Sequence, residues 1–191
     1  MNARTFLDEF VKKTASACKL MPDVAGPRTN LMYKVLYSIG ENAGYLVRCL
    51  PLDLEGQSVG MEEFMNLDFV YFDESRLFSP SGKGKKLRPC PEVVIEHENS
   101  YDIRALCRDF RKVCLFAVSL RVFIGYAQST KNAKSSGEKL IECYDRMGLI
   151  QLPDGQTLLI MGFPGNCKWN IWLKEGANRW ISVRDNVAEL H

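Results

Sequence analysis

The stretch PEVVIEHEN, residues 91–99, is a short apolar run that ends in two carboxylates. Its β-branched centre and the flanking proline and asparagine favour a strand over a helix. Because side chains alternate faces along a strand, Glu96 and Glu98 lie on the same side, about 6.5–7 Å apart. Two acids at the end of a buried strand repel each other and resist desolvation. We therefore expect a divalent cation, a basic partner or raised pKa values at this position.

A second apolar run, LDFVYF at residues 67–72, precedes this stretch and carries Asp68 near its start. A polar, glycine-rich connection joins the two runs, so we expect them to pair as a long hairpin. After Asn99 the apolar spacing becomes helical, and strands and helices then alternate. The sequence predicts an α/β fold with a mixed central β-sheet flanked by helices. The predicted helices are 3–20, 30–49, 103–117 and 136–147, and the predicted strands are 67–72, 91–99, 120–127, 157–163, 169–174 and 179–183.

The composition is that of an ordinary globular protein, with 46% apolar and 25% charged residues in 191 positions. This length favours a single domain that spans residues 1–191 and has a substantial core. The net charge of +2 is too small to indicate a nucleic-acid-binding protein by itself. Any basic surface has to be local.

Seven cysteines are scattered along the chain without a CxxC pair, which favours reduced thiols over a disulfide framework or a zinc site. Asp8 and Glu9 stand where a secretion signal would be apolar. No run approaches 18 apolar residues, so we expect no membrane span. These features together predict a cytoplasmic location.

The order of the acids and strands resembles the restriction-endonuclease-like superfamily, the PD-(D/E)XK nucleases, in an E-x-E variant. Asp68 opens one strand and Glu96-x-Glu98 closes the next, 28 residues later, before an amphipathic helix and another strand. The resemblance covers a core of about 30–165, which leaves a C-terminal hairpin at 166–184. Leu67 replaces the proline that usually precedes the Asp in this family.

The resemblance implies a restriction-endonuclease-like fold and a metal-dependent nuclease that hydrolyses DNA phosphodiester bonds, in a restriction or defence setting. Asp68 and Glu96 would bind Mg²⁺ (or Mn²⁺), and the backbone carbonyl of His97 would add a further ligand. Glu98 stands where most members have Lys, so its catalytic role differs from theirs. Glu41, on the helix before these strands, is a further catalytic candidate.

Each candidate residue also has a simpler interpretation. Two glutamates on a strand are often a solvated face, and Glu41 lies opposite the apolar stripe of its helix. The side chain of His97 points away from Glu96, where packing is commoner than catalysis. A glycine-rich segment carries four nucleic-acid-binding candidates, for which a solvated turn is equally compatible: Lys83, Lys85, Lys86 and Arg88.

Two rival functions remain open at this stage. The first is a nuclease-fold protein that has lost its chemistry and serves as a binding or assembly module, as the Glu98 departure suggests. The second is an α/β interaction protein without a nucleic-acid role, which suits the near-neutral charge. If DNA is the partner, loops, a homodimer or a partner subunit would supply specificity, since no helix-turn-helix or zinc module is recognisable.

Overall fold

The computed structural model describes residues 1–18, 25–49, 52–54, 57–59, 66–73, 75, 90–147, 155–163, 168–176 and 179–184. Four helices lie in these ranges: α1 (Ala3–Cys18), α2 (Ala25–Asn42), α3 (Ile103–Cys114) and α4 (Thr130–Arg146). The strands are β1 (Leu46–Cys49), β2 (Leu52–Leu54), β3 (Gln57–Val59), β4 (Phe69–Phe72), β5 (Val93–Glu98), β6 (Leu120–Tyr126), β7 (Gln156–Phe163), β8 (Lys168–Glu175) and β9 (Ile181–Arg184). None of the described helices has the length and apolar character needed to cross a membrane.

Seven strands form one mixed sheet in the order β1-β4-β5-β6-β7-β8-β9, while β2 and β3 pair separately. β5, β6 and β7 are parallel to one another, and the remaining neighbours in the large sheet are antiparallel. α3 and α4 connect the parallel strands, as parallel pairing requires. The predicted α/β class with a mixed sheet is confirmed, as is the predicted antiparallel pairing of β4 with β5.

The two faces of the sheet pack against different helix pairs. Val122 and Ile124 of β6 lie in a core with Phe6 of α1 and Leu36 of α2. Phe123, between them in sequence, lies on the opposite face in a core with residues of α3 and α4. Because β6 is central and covered on both sides, all seven of its residues are buried.

The helix predicted over 30–49 ends earlier than expected. α2 stops at Asn42, and Leu46–Cys49 is instead the edge strand β1, paired with β4. Gly44 ends the helix with a positive φ of 77°, where a side chain would be strained. Its N–H and that of Tyr45 donate to the carbonyls of Glu41 and Gly40, which is the Schellman pattern. The glycine was the available signal for this boundary.

α4 begins six residues before its predicted start. Ser129 caps it by accepting a hydrogen bond from the Asn132 N–H at 3.2 Å. The helix therefore runs from Thr130, and Gly137 lies directly against the Trp172 ring of β8. This contact joins α4 to the C-terminal strands.

Candidate carboxylate site at the end of strand β5

The candidate site lies where β4 begins and β5 ends. Phe69 of β4 pairs with Ile95 of β5, so the antiparallel register places Asp68 opposite Glu96. Glu96 and Glu98 share the face that α3 covers, because side chains alternate along β5. The pairing predicted from the sequence thus brings Asp68 and Glu96 side by side.

The carboxylate of Asp68 is oriented from two directions. One oxygen, Oδ1, accepts a hydrogen bond from the Tyr33 hydroxyl of α2 at 2.6 Å. The other, Oδ2, accepts from the backbone N–H of His97 at 2.7 Å. Burial raises the pKa of Asp68, and these two hydrogen bonds oppose that rise by favouring the charged form.

Glu96 is almost completely buried beside Asp68, with only 4% of its surface exposed. Burial, followed by the charge of Asp68, raises the pKa of Glu96 to about 9. At neutral pH Glu96 is therefore protonated when no cation is bound, and its carboxyl group is hydrogen-bonded to Asp68. The Nζ atom of Lys112 lies 3.4 Å from Glu96 Oε1.

Glu98 engages α3 rather than the Asp68–Glu96 pair. Its Oε1 accepts from the Ser100 N–H at 2.6 Å, and its carboxyl group is hydrogen-bonded to Asp109. Arg108 lies 3.7 Å from Glu98 and makes two 3.2 Å hydrogen bonds to Asp109. Burial, with Asp109 next, raises the pKa of Glu98. The site therefore contains two pairs of carboxyl groups, Asp68 with Glu96 and Asp109 with Glu98.

Lys112 links the two pairs. It lies 3.0 Å from Asp109 Oδ1 as well as 3.4 Å from Glu96. Burial lowers its pKa, but the hydrogen bond to Asp109 and the charges of both acids outweigh this and raise the pKa overall. The ammonium group is thus held charged at the centre of the site.

Sequence interpretation missed Lys112, Asp109 and Tyr33. The apolar spacing of α3 indicates a mainly solvent-facing position for Lys112, whereas its ammonium group reaches back to Glu96 of β5. A signal was present, because Asp109 and Lys112 are three residues apart on the helix that directly follows the acidic strand.

The ring of His97 lies on the opposite face of the sheet. Its Nε2 is 3.0 Å from the Tyr126 hydroxyl, and both rings are buried. Burial and the nearby charge of Arg28 lower the pKa of His97 to about 3, so the imidazole is neutral. The ring therefore packs, as expected, and His97 contributes its backbone N–H to Asp68. A metal-binding role for its carbonyl stays a prediction.

The structure does not bring Glu41 to the carboxylate site. Glu41 is exposed near the end of α2 and hydrogen-bonded to Tyr37. It lies eight residues beyond Tyr33, about 12 Å along the helix axis. The neighbouring Gly40 contacts Tyr71, which is further along β4 from Asp68. The four basic candidates at positions 83, 85, 86 and 88 lie outside the described residues.

The donor set suits a hard cation. In the part of the chain that the structure describes, no group of three or more His, Cys, Asp or Glu side chains is arranged to hold a metal ion. Asp68 and Glu96 nevertheless supply two adjacent carboxyl groups, and Mg²⁺ is usually held by one or two carboxylates together with waters and substrate phosphate. No protein-family model, curated protein or solved structure matches this chain.

Proposed function

We propose that this protein is a Mg²⁺- or Mn²⁺-dependent nuclease that hydrolyses DNA phosphodiester bonds, with a restriction-endonuclease-like arrangement of the E-x-E type. The contact between Asp68 and Glu96 carries the proposal, since it joins the ends of two adjacent antiparallel strands. Strand order supports it as well: the acidic strand leads into α3 and then into the parallel strand β6.

A buried Glu96 in contact with the half-buried Asp68 is difficult to explain as a purely structural feature. Keeping both charged is strongly unfavourable, so in the absence of a cation one of them keeps a proton. A divalent cation would replace that proton and balance both charges. Glu96 is only 4% exposed and lies beside Lys112, so the acids do not form an open solvated face.

Asp68 and Glu96 would hold the cation, which when bound polarises the scissile phosphate and lowers the pKa of a water molecule. Tyr33 and the His97 N–H orient Asp68. Lys112 supplies the positive charge that Glu98, standing in the usual Lys position, cannot supply. Glu98 would have to leave Asp109 and come near the attacking water before it could orient that water or accept its proton.

DNA is the proposed partner, and its phosphates would be contacted by the basic segment with Lys83, Lys85, Lys86 and Arg88. A homodimer or a partner subunit would supply sequence specificity. These contacts are independent of the carboxylate chemistry and can be tested separately by the salt dependence of DNA binding.

The proposal is tested by measuring cleavage of plasmid and single-stranded DNA with Mg²⁺ or Mn²⁺ and with a chelator. We expect Glu96→Gln to lower the cleavage rate by about 100-fold or more, because the amide cannot replace a carboxylate ligand. Glu138→Gln on the exposed side of α4 is the matched control and should cleave like the unmodified protein. Equal cleavage by both variants would remove Glu96 from the mechanism.

The main alternative is a nuclease-fold module that binds or assembles without hydrolysis. Glu98 favours this alternative, because it stands where most members of the nuclease superfamily have a lysine and it pairs with Asp109. Such a module should bind DNA with salt-sensitive affinity but show no Mn²⁺ binding that depends on Asp68 or Glu96. Titration with Mn²⁺ therefore separates the two functions.

A further inference from the structure

Two cysteine thiols meet where α3 packs against α4, on the outer side of these helices. Cys107 of α3 and Cys143 of α4 are both free and half-buried. Their thiol groups lie next to each other. This contact is independent of the carboxylate site and has no part in the proposed hydrolysis.

The thiol of Cys143 lines an open pocket, and Cys107 is not among the residues that line that pocket. Cys143 lies in a cavity of about 300 Å³ whose other walls include Arg111, Lys139 and Arg146. Arg146 is ion-paired with Glu142, which leaves the pocket with an excess of positive charge. A small anionic molecule is therefore attracted to the thiol of Cys143, and Cys107 contacts that thiol from the neighbouring helix.

The other cysteines whose side chains the structure describes differ from this pair. Cys49 and Cys114 are buried, and burial raises the pKa of Cys49 to about 11 and that of Cys114 still further. Cys90 is exposed. Among the cysteines whose side chains the structure describes, Cys107 and Cys143 thus combine partial exposure with mutual proximity, and two cysteines must come close before a disulfide can join them.

We propose that Cys107 and Cys143 form a reversible disulfide between α3 and α4 by exchange with a small acidic disulfide such as oxidised glutathione. Cys143 loses its proton to solvent and attacks one glutathione sulfur, so the glutathione S–S bond breaks and one glutathione thiolate leaves. The Cys107 thiolate then attacks the sulfur of Cys143 in the mixed disulfide and displaces the second glutathione. The two cysteines lose two protons and two electrons, and oxidised glutathione is reduced to two thiols.

The disulfide would fix α3 to α4. It closes a loop of chain from Cys107 to Cys143 that contains β6, the central strand of the sheet. α3 also carries Asp109 and Lys112, so oxidation would constrain the helix that contacts Glu96. The bond itself is expected whether or not the protein cleaves DNA.

The test is peptide mapping without reduction after incubation of the whole protein with oxidised glutathione. Trypsin places Cys107 in peptide 105–108 and Cys143 in peptide 140–146, because arginine or lysine flanks both segments. We expect these two peptides to be recovered joined, and dithiothreitol to separate them. Cys107→Ser should accumulate glutathione on Cys143, whereas Cys143→Ser should leave Cys107 without glutathione or a cross-link.

Exposed Cys90 is the internal control for contact with the oxidant. If Cys90 carries glutathione while Cys107 and Cys143 remain thiols, the proposal is overturned. A cross-link from Cys143 to Cys114 instead of Cys107 would overturn the proposal equally. Cys114 is the alternative partner because Cys143 is near enough to contribute to the raised pKa of its thiol.

Discussion

Asp68 and Glu96 stand opposite each other on adjacent antiparallel strands, and their carboxyl groups are hydrogen-bonded. Asp68 is fixed by Tyr33 and by the His97 N–H, while Glu96 is buried and close to Lys112. Without a cation the pair holds a proton, because Glu96 is buried and a second negative charge beside Asp68 would be repelled strongly. The site is therefore arranged so that a cation and a proton compete for the same two groups.

The first prediction concerns stability as a function of pH in the presence of a chelator. The pKa of Glu96 is about 9 in the folded protein, above its ordinary value of 4.5. Its contribution to stability is thus fully present below pH 4.5 and is lost as pH rises towards 9. Relative to Glu96→Gln, which cannot titrate, the free energy of unfolding of the unmodified protein should fall by at most about 1.4 kcal/mol per pH unit.

Urea denaturation of both proteins between pH 5 and 9 measures this difference. The titrating groups outside the Asp68–Glu96 pair are common to the two proteins, so the difference curve reports on the proton that this pair holds. A difference that stays constant over the whole range would show that Glu96 is already charged in the folded protein.

The second prediction concerns Tyr33, whose hydroxyl donates to Asp68 at 2.6 Å. Tyr33→Phe removes this donor and leaves the ring, which packs edge-on against Phe69. We expect Mn²⁺ affinity to fall about tenfold, because a group that orients a metal ligand contributes on this scale. Tyr37→Phe, one turn further along α2 and bonded to Glu41, is the matched control and should bind like the unmodified protein. Equal affinity of all three proteins would contradict a role for Tyr33.

The third prediction separates metal binding from cleavage at Lys112. Lys112→Met keeps much of the aliphatic side chain but removes the charge 3.4 Å from Glu96. We expect cleavage to fall by about 100-fold, with Mn²⁺ affinity unchanged or higher because the site becomes more negative. Arg104→Met, an exposed position on the same helix, serves as the control. If Lys112→Met loses Mn²⁺ affinity and its cleavage rate falls by the same factor, Lys112 has a structural role in the site and not a separate role in cleavage.

The fourth prediction tests the packing of α4 on the sheet. A glycine-to-alanine change in a helix usually stabilises by about 1 kcal/mol. At Gly137, however, an added Cβ would lie 2.3 Å from Trp172 Cη2, so something must shift. We expect Gly137→Ala to destabilise the protein by about 1–3 kcal/mol in urea denaturation. Lys134→Ala at an exposed position of the same helix should be nearly neutral, and a stabilising Gly137→Ala would contradict the close contact.

The sheet, apart from its edge strand β1, could be predicted from local signals. Short apolar runs with β-branched residues and flanking turn-forming residues located β4 and β5, and their pairing put Asp68 opposite Glu96. The end of α2 was placed too late because its apolar spacing continues past Gly44, where backbone conformation rather than periodicity ends the helix. A glycine that can adopt a positive φ therefore has to be weighed against the apolar spacing when the end of a helix is predicted.

The side chains that α3 contributes to the site could not be predicted in the same way. Asp109 and Lys112 lie at the margin of the apolar stripe of α3, and which margin faces β5 depends on how the helix lies across the sheet. That orientation is set by the packing of α3 on the sheet: Val113 packs against β5, and Leu106 and Phe110 pack against β6 and α4. Side chains that reach a site from the edge of a helix are therefore missed by a helical face assignment.

The central claim is that Asp68 and Glu96 exchange a proton for a divalent cation. It is tested most directly by calorimetric titration with Mn²⁺ at pH 7 in two buffers that differ in ionisation enthalpy. Because Glu96 is protonated before binding, we predict binding with release of about one proton per ion, no binding by Glu96→Gln, and normal binding by Glu138→Gln. Absence of binding by the unmodified protein, or equal binding by Glu96→Gln, would contradict the account.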